Sequence, residues 1–105
     1  MGFFNLFGGG ISTVSIEEYL QNDAVVIDVR TRQEFEEGHV HGSKNIPLDA
    51  IGFQIEEIKN IGKPVITCCR SGARSGSAAR ILVQNGVDAI NGGPWGTVVG
   101  CMNKN

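Results

Sequence analysis

Apolar positions along this chain follow two rhythms. Residues 24–29, AVVIDV, form an apolar run broken only by Asp28, and Val65 to Cys68 form a second run, VITC. Runs without alternation suit parallel strands buried on both faces. Lys44 to Pro47 and Val87 to Ile90 read as two shorter strands. The segments between them carry helical signals. Ser15-Ile16-Glu17-Glu18 reads as a capping box opening a helix through Gln21, and Thr31-Arg32-Gln33-Glu34 as a second box, with Gly38 closing its helix. Ile51, Ile55 and Ile58 recur at helical spacing up to Gly62, which predicts one helix there. Ser75 to Asn85 predicts a helix rich in small residues, closed by Asn85-Gly86. Strands alternating with short helices predict an α/β domain around a mostly parallel sheet of about five strands.

The N-terminus departs from this rhythm. Residues 3–7 hold four large apolar side chains, Phe3, Phe4, Leu6 and Phe7, followed by Gly8-Gly9-Gly10, a flexible joint. We read 1–11 as a Phe/Gly-rich segment and 12–105 as the domain. The aromatic cluster is expected to dock on the domain's own surface, with a partner or membrane-surface contact as the alternative. It lacks the basic and long apolar regions of a signal peptide.

Composition narrows the function classes. Nine basic and eleven acidic side chains leave a formal charge of −2, which disfavours a nucleic-acid partner. No apolar run reaches the ~18 residues of a membrane span. Three cysteines, two of them adjacent, make a poor disulfide framework and point to a reducing, cytoplasmic setting.

The chemistry concentrates at Cys69-Arg70-Ser71-Gly72-Ala73-Arg74, between a buried strand and a helix. Gly72 permits backbone angles closed to other residues. Backbone N–H groups can converge there as an anion nest, reinforced by the helix dipole. Arg70 and Arg74 add positive charge. Together they favour the thiolate of Cys69 and predict a nucleophile in an anion-accepting bowl. Ligands of open α/β sheets bind beyond the carboxyl ends of strands. Asp28-Val29-Arg30 and Cys68-Cys69-Arg70 both fall at such ends and are expected to meet.

These stretches, VVIDVRTRQEFEEGHVHGSKNIP at 25–47, CRSGARS at 69–75 and NGGPW at 91–95, resemble the single-domain rhodaneses, a sulfurtransferase family. The resemblance covers roughly residues 12–100 and implies a rhodanese-like three-layer fold. It implies that Cys69 takes a sulfane sulfur from thiosulfate or a persulfide donor. Cys69 would carry it as a persulfide and pass it to cyanide or a thiol. The amides of Arg70 to Arg74 would cradle the sulfur, and Arg70 and Arg74 would help bind the anionic donor. No metal or organic cofactor is implied, and a protein is an alternative donor or acceptor. The Cys-x4-Arg spacing is one residue shorter than in the phosphatases and arsenate reductases of related architecture, which makes those the weaker enzyme reading. A non-enzymatic sulfur-carrier or regulatory binding module is the other alternative.

Four residues are expected to support the loop. Asp28, a charge in an apolar strand, needs a buried partner. Arg30 either lines the pocket mouth or pairs with Glu34. Ser75 opens the helix after the loop, and Trp95 packs beside it. Gly96 and Gly100 make the last helix doubtful. His39 and His41 lack a second ligand cluster, which disfavours a metal site; the resemblance implies a structural role for Gly38-His39. Strand alternation sends Cys68 to the face opposite Cys69. Cys101 is expected to be packed or free rather than a resolving thiol.

Overall fold

The computed structural model describes residues 13–103. In chain order the elements are α1 (Thr13–Gln21), β1 (Val25–Asp28), α2 (Arg32–Glu36), β2 (Lys44–Asn45), α3 (Leu48–Ile51), α4 (Ile55–Ile61), β3 (Val65–Cys69), α5 (Ala73–Gln84), β4 (Ala89–Pro94) and α6 (Trp95–Met102). The strands form one sheet in the order β2-β1-β3-β4, with every neighbouring pair parallel. Four strands are thus present among the described residues, against about five expected. The Phe/Gly-rich segment 1–11 lies outside the described residues, as does the docking expected of it.

Strand alternation builds the three layers. Ile27 of β1, Val65 and Cys69 of β3 and Ala89 of β4 face one side, where they pack with Ile51, Ile58, Ala78 and Leu82 from α3, α4 and α5. Val26, Ile66 and Cys68 face the other side and pack with Ile16 of α1 and Val98 and Cys101 of α6. Because parallel strands need crossover connections, both faces of the sheet are covered by helices. No helix among the described residues is long and apolar enough to cross a membrane.

The sheet order also locates a crevice. The chain leaves β1 for β2 on one side and returns to β3 on the other, so the order reverses between β1 and β3. Asp28 and Cys69 end those two strands. This is the switch point at which α/β sheets open a binding crevice.

Several boundaries differ from the sequence reading. Helix α1 begins at Thr13, which places Ser15 inside it rather than at its cap. Ile51, Ile55 and Ile58 do not share one helix. The chain breaks at Gly52-Phe53-Gln54, and Ile51 and Ile58 reach the same core cluster from separate helices. Helix α5 starts at Ala73, two residues early, so Ser75 falls in its first turn. Helix α6 is formed despite Gly96 and Gly100. Its Val98 and Cys101 are buried, and packing of one face outweighs weak propensity.

Strand β4 carries a bulge. Thr67 pairs with Asn91 and Cys69 with Pro94, so two steps along β3 match three along β4. Gly92 sits in the bulge with no room for a side chain. A Cβ there would lie 2.6 Å from Ile66 Cγ2, 2.7 Å from the Thr67 carbonyl and 2.9 Å from Val98 Cγ2.

Gly92→Ala is therefore expected to cost about 1–3 kcal/mol of stability by overpacking. Gly100, in α6, faces open space on its Cβ side. Gly100→Ala is expected to gain roughly 0.5–1 kcal/mol. Urea denaturation of the two variants beside the parent chain checks both signs.

Candidate functional site

Strand β3 delivers Cys69 to the end of the sheet, and the chain turns at once into α5. The turn depends on Gly72, whose φ of 105° lies in the left-handed region. Its conformation aims the Gly72 N–H back at Cys69 Sγ, at 3.0 Å. The Ser75 N–H, in the first turn of α5, points to the same sulfur at 3.4 Å. The Ser75 hydroxyl stands 3.2 Å from it. Cys69 has no solvent exposure itself, while Arg70, Ser71 and Ala73 form an exposed rim.

These donors decide the state of the thiol. Burial pushes Cys69 up. Hydrogen bonds from the Ser75 hydroxyl and from the N–H groups of Ser75, Gly72 and Ser71 pull it down further, so the balance falls below the ordinary thiol value. Cys68 lies one residue away on the opposite face. Burial first, and then the Asp28 carboxylate, push its thiol up to about 12. The two adjacent thiols are thus shifted in opposite directions.

The N–H groups of Ala73 and Arg74 have no hydrogen-bond partner among the described residues. The first backbone bond of α5 runs from the Gly76 N–H to the Gly72 carbonyl. Helix N-termini leave such donors over.

Asp28 and Arg30 meet the loop from β1. Asp28 is fully buried and Arg30 nearly so. Arg30 Nη2 lies 2.8 Å from Asp28 Oδ2, and Nε donates to both carboxylate oxygens at 3.0 and 3.1 Å. Arg30 Nη2 also donates to the Gly38 carbonyl at 2.6 Å. Its guanidinium carbon stands 5.1 Å from the centroid of the Trp95 ring. Arg30 therefore pairs with Asp28, not with Glu34, and joins the ends of β1 and α2 to the start of α6.

Glu34 has a different partner. Its carboxylate accepts from Arg74 Nη1 at 2.8 Å and Nη2 at 3.1 Å, a bidentate pair. The capping box with Thr31 is formed as expected. The Arg74 hydrogen bond first, and then those from Thr31, hold Glu34 down to about 2. This clamp ties α2 to the first turn of α5. Arg74, expected at the donor, is committed to Glu34 at both terminal nitrogens.

Asn91 is the residue that sequence reasoning missed. Its Oδ1 accepts from the Ser75 hydroxyl at 2.6 Å and from the Gly93 N–H at 2.8 Å. Its Nδ2 donates to the Gly72 carbonyl at 3.1 Å. One side chain on β4 thus holds both the glycine and the serine that address the sulfur. The signal available in the sequence was a polar residue directly after the expected last strand, ahead of Gly92-Gly93.

An open pocket of about 280 Å³ adjoins the loop, lined by Arg30, Glu34, Glu37, Gly38, Arg70 and Trp95. His39 stacks on the Phe35 ring, and His41 is exposed. Cys101 is buried in the cluster that holds Cys68.

The sequence and the fold have known relatives. The family model for the rhodanese-like domain matches residues 13–93. An uncharacterized protein of Bacillus subtilis, YqhL, is 40% identical over 82 residues, which cover 76% of this chain. The chain spans only 64% of that relative's length, under two thirds. The thiosulfate sulfurtransferase GlpE of Pseudomonas aeruginosa is 30% identical over 86 residues, covering 79% of this chain and 77% of that one. Among solved structures, a rhodanese-like domain protein from Staphylococcus aureus superposes with a TM-score of 0.69 at 27% identity, covering 85% and 88% of the two chains.

The donor set predicts a titration. The thiolate absorbance step that disappears in Cys69→Ser should lie below the ordinary thiol value. Ser75→Ala should move that step to higher pH, because one donor to the thiolate is lost while burial remains. An unchanged midpoint in Ser75→Ala would contradict the assignment of that hydrogen bond.

Proposed function

This chain belongs to the rhodanese-like domain family, and from that membership we propose that it is a sulfurtransferase working through a persulfide on Cys69. The observation that carries the reading is the convergence of the Gly72 N–H, the Ser75 N–H and the Ser75 hydroxyl on one buried sulfur. Donors so placed stabilise a thiolate, and they stabilise an anionic persulfide for the same reason. Thiosulfate sulfurtransferase relatives at about 30% identity support a transferase.

The reaction has two halves. The Cys69 thiolate attacks the outer sulfur of thiosulfate. The sulfur–sulfur bond of the donor breaks, and sulfite leaves with the bonding pair. The outer sulfur, now on Cys69, carries the negative charge. The N–H groups of Ala73 and Arg74, unclaimed at the start of α5, are the donors available to it. In the second half, cyanide or a thiolate attacks that outer sulfur, and the pair returns to Cys69 Sγ.

Arg70 and Arg74 divide the work that the motif suggested they share. Arg70 is exposed on the rim and meets the anionic donor. Arg74 holds α2 against the loop through Glu34. That commitment supports sulfur over phosphorus, since Arg74 is not left over to bind a phosphate dianion. Asp28 and Arg30 hold the crevice wall, and Ser75 sets the thiol. The cellular setting that suits a working thiol of this kind is the reducing cytoplasm.

Incubation with thiosulfate should add one sulfur, about 32 Da, at Cys69, detected by intact mass and peptide mapping. Cyanide should then release thiocyanate and restore the original mass. Cys69→Ser should reduce thiocyanate formation to background. A folded Cys69→Ser protein that still forms thiocyanate would overturn the proposal.

A further inference from the structure

The pocket beside the loop carries more charge than transfer of a sulfur atom requires. Four of its lining side chains are ionic: Arg30, Glu34, Glu37 and Arg70. Two of these are already satisfied. Arg30 is held by Asp28 and the Gly38 carbonyl, and Glu34 by Arg74 and Thr31. Arg70 and Glu37 are exposed, and neither side chain has a hydrogen bond or ion pair among the described residues. A visitor therefore meets one free guanidinium, one free carboxylate and the side chain of Trp95.

We propose that this pocket receives a small zwitterionic thiol, an amino acid in kind, as the acceptor of the outer sulfur, with its carboxylate toward Arg70 and its ammonium toward Glu37. The inference rests on the reading of Cys69 as the persulfide carrier. A singly charged thiol satisfies one of the two free groups and is repelled by the other. An anionic thiol meets the Glu37 carboxylate, and a cationic one meets Arg70. A zwitterion satisfies both. Size agrees, since about 280 Å³ lies at the small end of ligand pockets, which run from ~300 Å³ upward, and suits a small amino acid. In the transfer step the acceptor thiolate attacks the outer sulfur of the persulfide. The sulfur–sulfur bond breaks, its electron pair returns to Cys69 Sγ, and the acceptor leaves as a persulfide. No outside oxidant or reductant enters.

The test uses the single tryptophan of the chain, which lines this pocket. Trp95 emission of the full chain is titrated with three unreactive thioethers: S-methylcysteine, methylthioacetate and 2-(methylthio)ethylamine. S-methylcysteine should give a saturable change with a Kd at least about threefold below either singly charged ligand, the scale of one exposed ion pair. In Glu37→Gln the zwitterion should weaken by about the same factor while methylthioacetate tightens. Arg70→Gln should give the mirror result, with the amine tightening. Opposite shifts for opposite charges cannot come from a general loosening of the fold. Equal Kd values for the three ligands, no saturable change, or unchanged preferences in both variants would overturn the proposal. Because the ligands have no thiol, this outcome is independent of sulfur chemistry. Binding as described, in a chain that never forms the persulfide, would sink the functional reading and leave the pocket's charge selectivity standing. Persulfide formation with no charge preference would do the reverse.

Discussion

A carboxylate without solvent at the end of β1 obliges the chain to bury a cation beside it. Asp28 and Arg30 are that pair, two residues apart on one strand end. A lone buried charge of either sign would be costly, whereas the pair with its added hydrogen bonds is sustainable. Arg30 has donors beyond those Asp28 can use. One goes to the Gly38 carbonyl, and the guanidinium lies over Trp95. The need to satisfy one carboxylate therefore brings together β1, the turn that follows α2 and the start of α6, and these form much of the pocket wall. Asn45 reinforces the same strand end by donating to the Asp28 and Arg30 carbonyls.

On the other side of the crevice the organising atom is the Cys69 sulfur. Its surroundings are built from two separate stretches of chain, β3 running into α5, and β4. The strand supplies the sulfur, the turn and first helical turn supply the donors, and β4 supplies Asn91, which fixes both the turn and the serine. Ser75 has one proton and two neighbours that can take it, Asn91 Oδ1 and the thiolate. In the neutral thiol the proton on sulfur can point to Ser75 while Ser75 donates to Asn91. Ionisation reverses the first of these, and the hydroxyl turns to the sulfur. The Gly93 N–H remains on Asn91 Oδ1 in either case, so Asn91 is not orphaned by the change.

Much of this was legible in the sequence, and the exceptions have physical causes. Continuous apolar runs identified β1 and β3 because both faces of a parallel sheet are covered. The last strand, expected at Val87 to Ile90, lies instead at Ala89–Pro94, where Asn91 and Pro94 also pair with β3. The loop was legible because its chemistry is local: a cysteine, a glycine and a helix start within a few residues. The pairing of Arg74 with Glu34 was not legible, because forty positions separate them and only the fold brings α2 to α5. Arg30 was read with Glu34 as an option because the two are close in sequence, yet buried Asp28 had the stronger claim. Asn91 escaped because its role is set by the register of β4 against β3. Helix α6 was doubted on its glycines, and its burial against the sheet and α1 decided otherwise.

The parity of β3 has a consequence for oxidation. Neighbouring residues on a strand point to opposite faces, so Cys68 and Cys69 stand on either side of the sheet despite being bonded in sequence. Cys101 shares the side of Cys68. The sheet thus lies between the loop sulfur and the other two thiols. An adduct on Cys69 would find neither Cys68 nor Cys101 on its own side of the sheet. A sulfur species on Cys69 would be met from the exposed rim of Arg70, Ser71 and Ala73, and not through the sheet from Cys68 or Cys101.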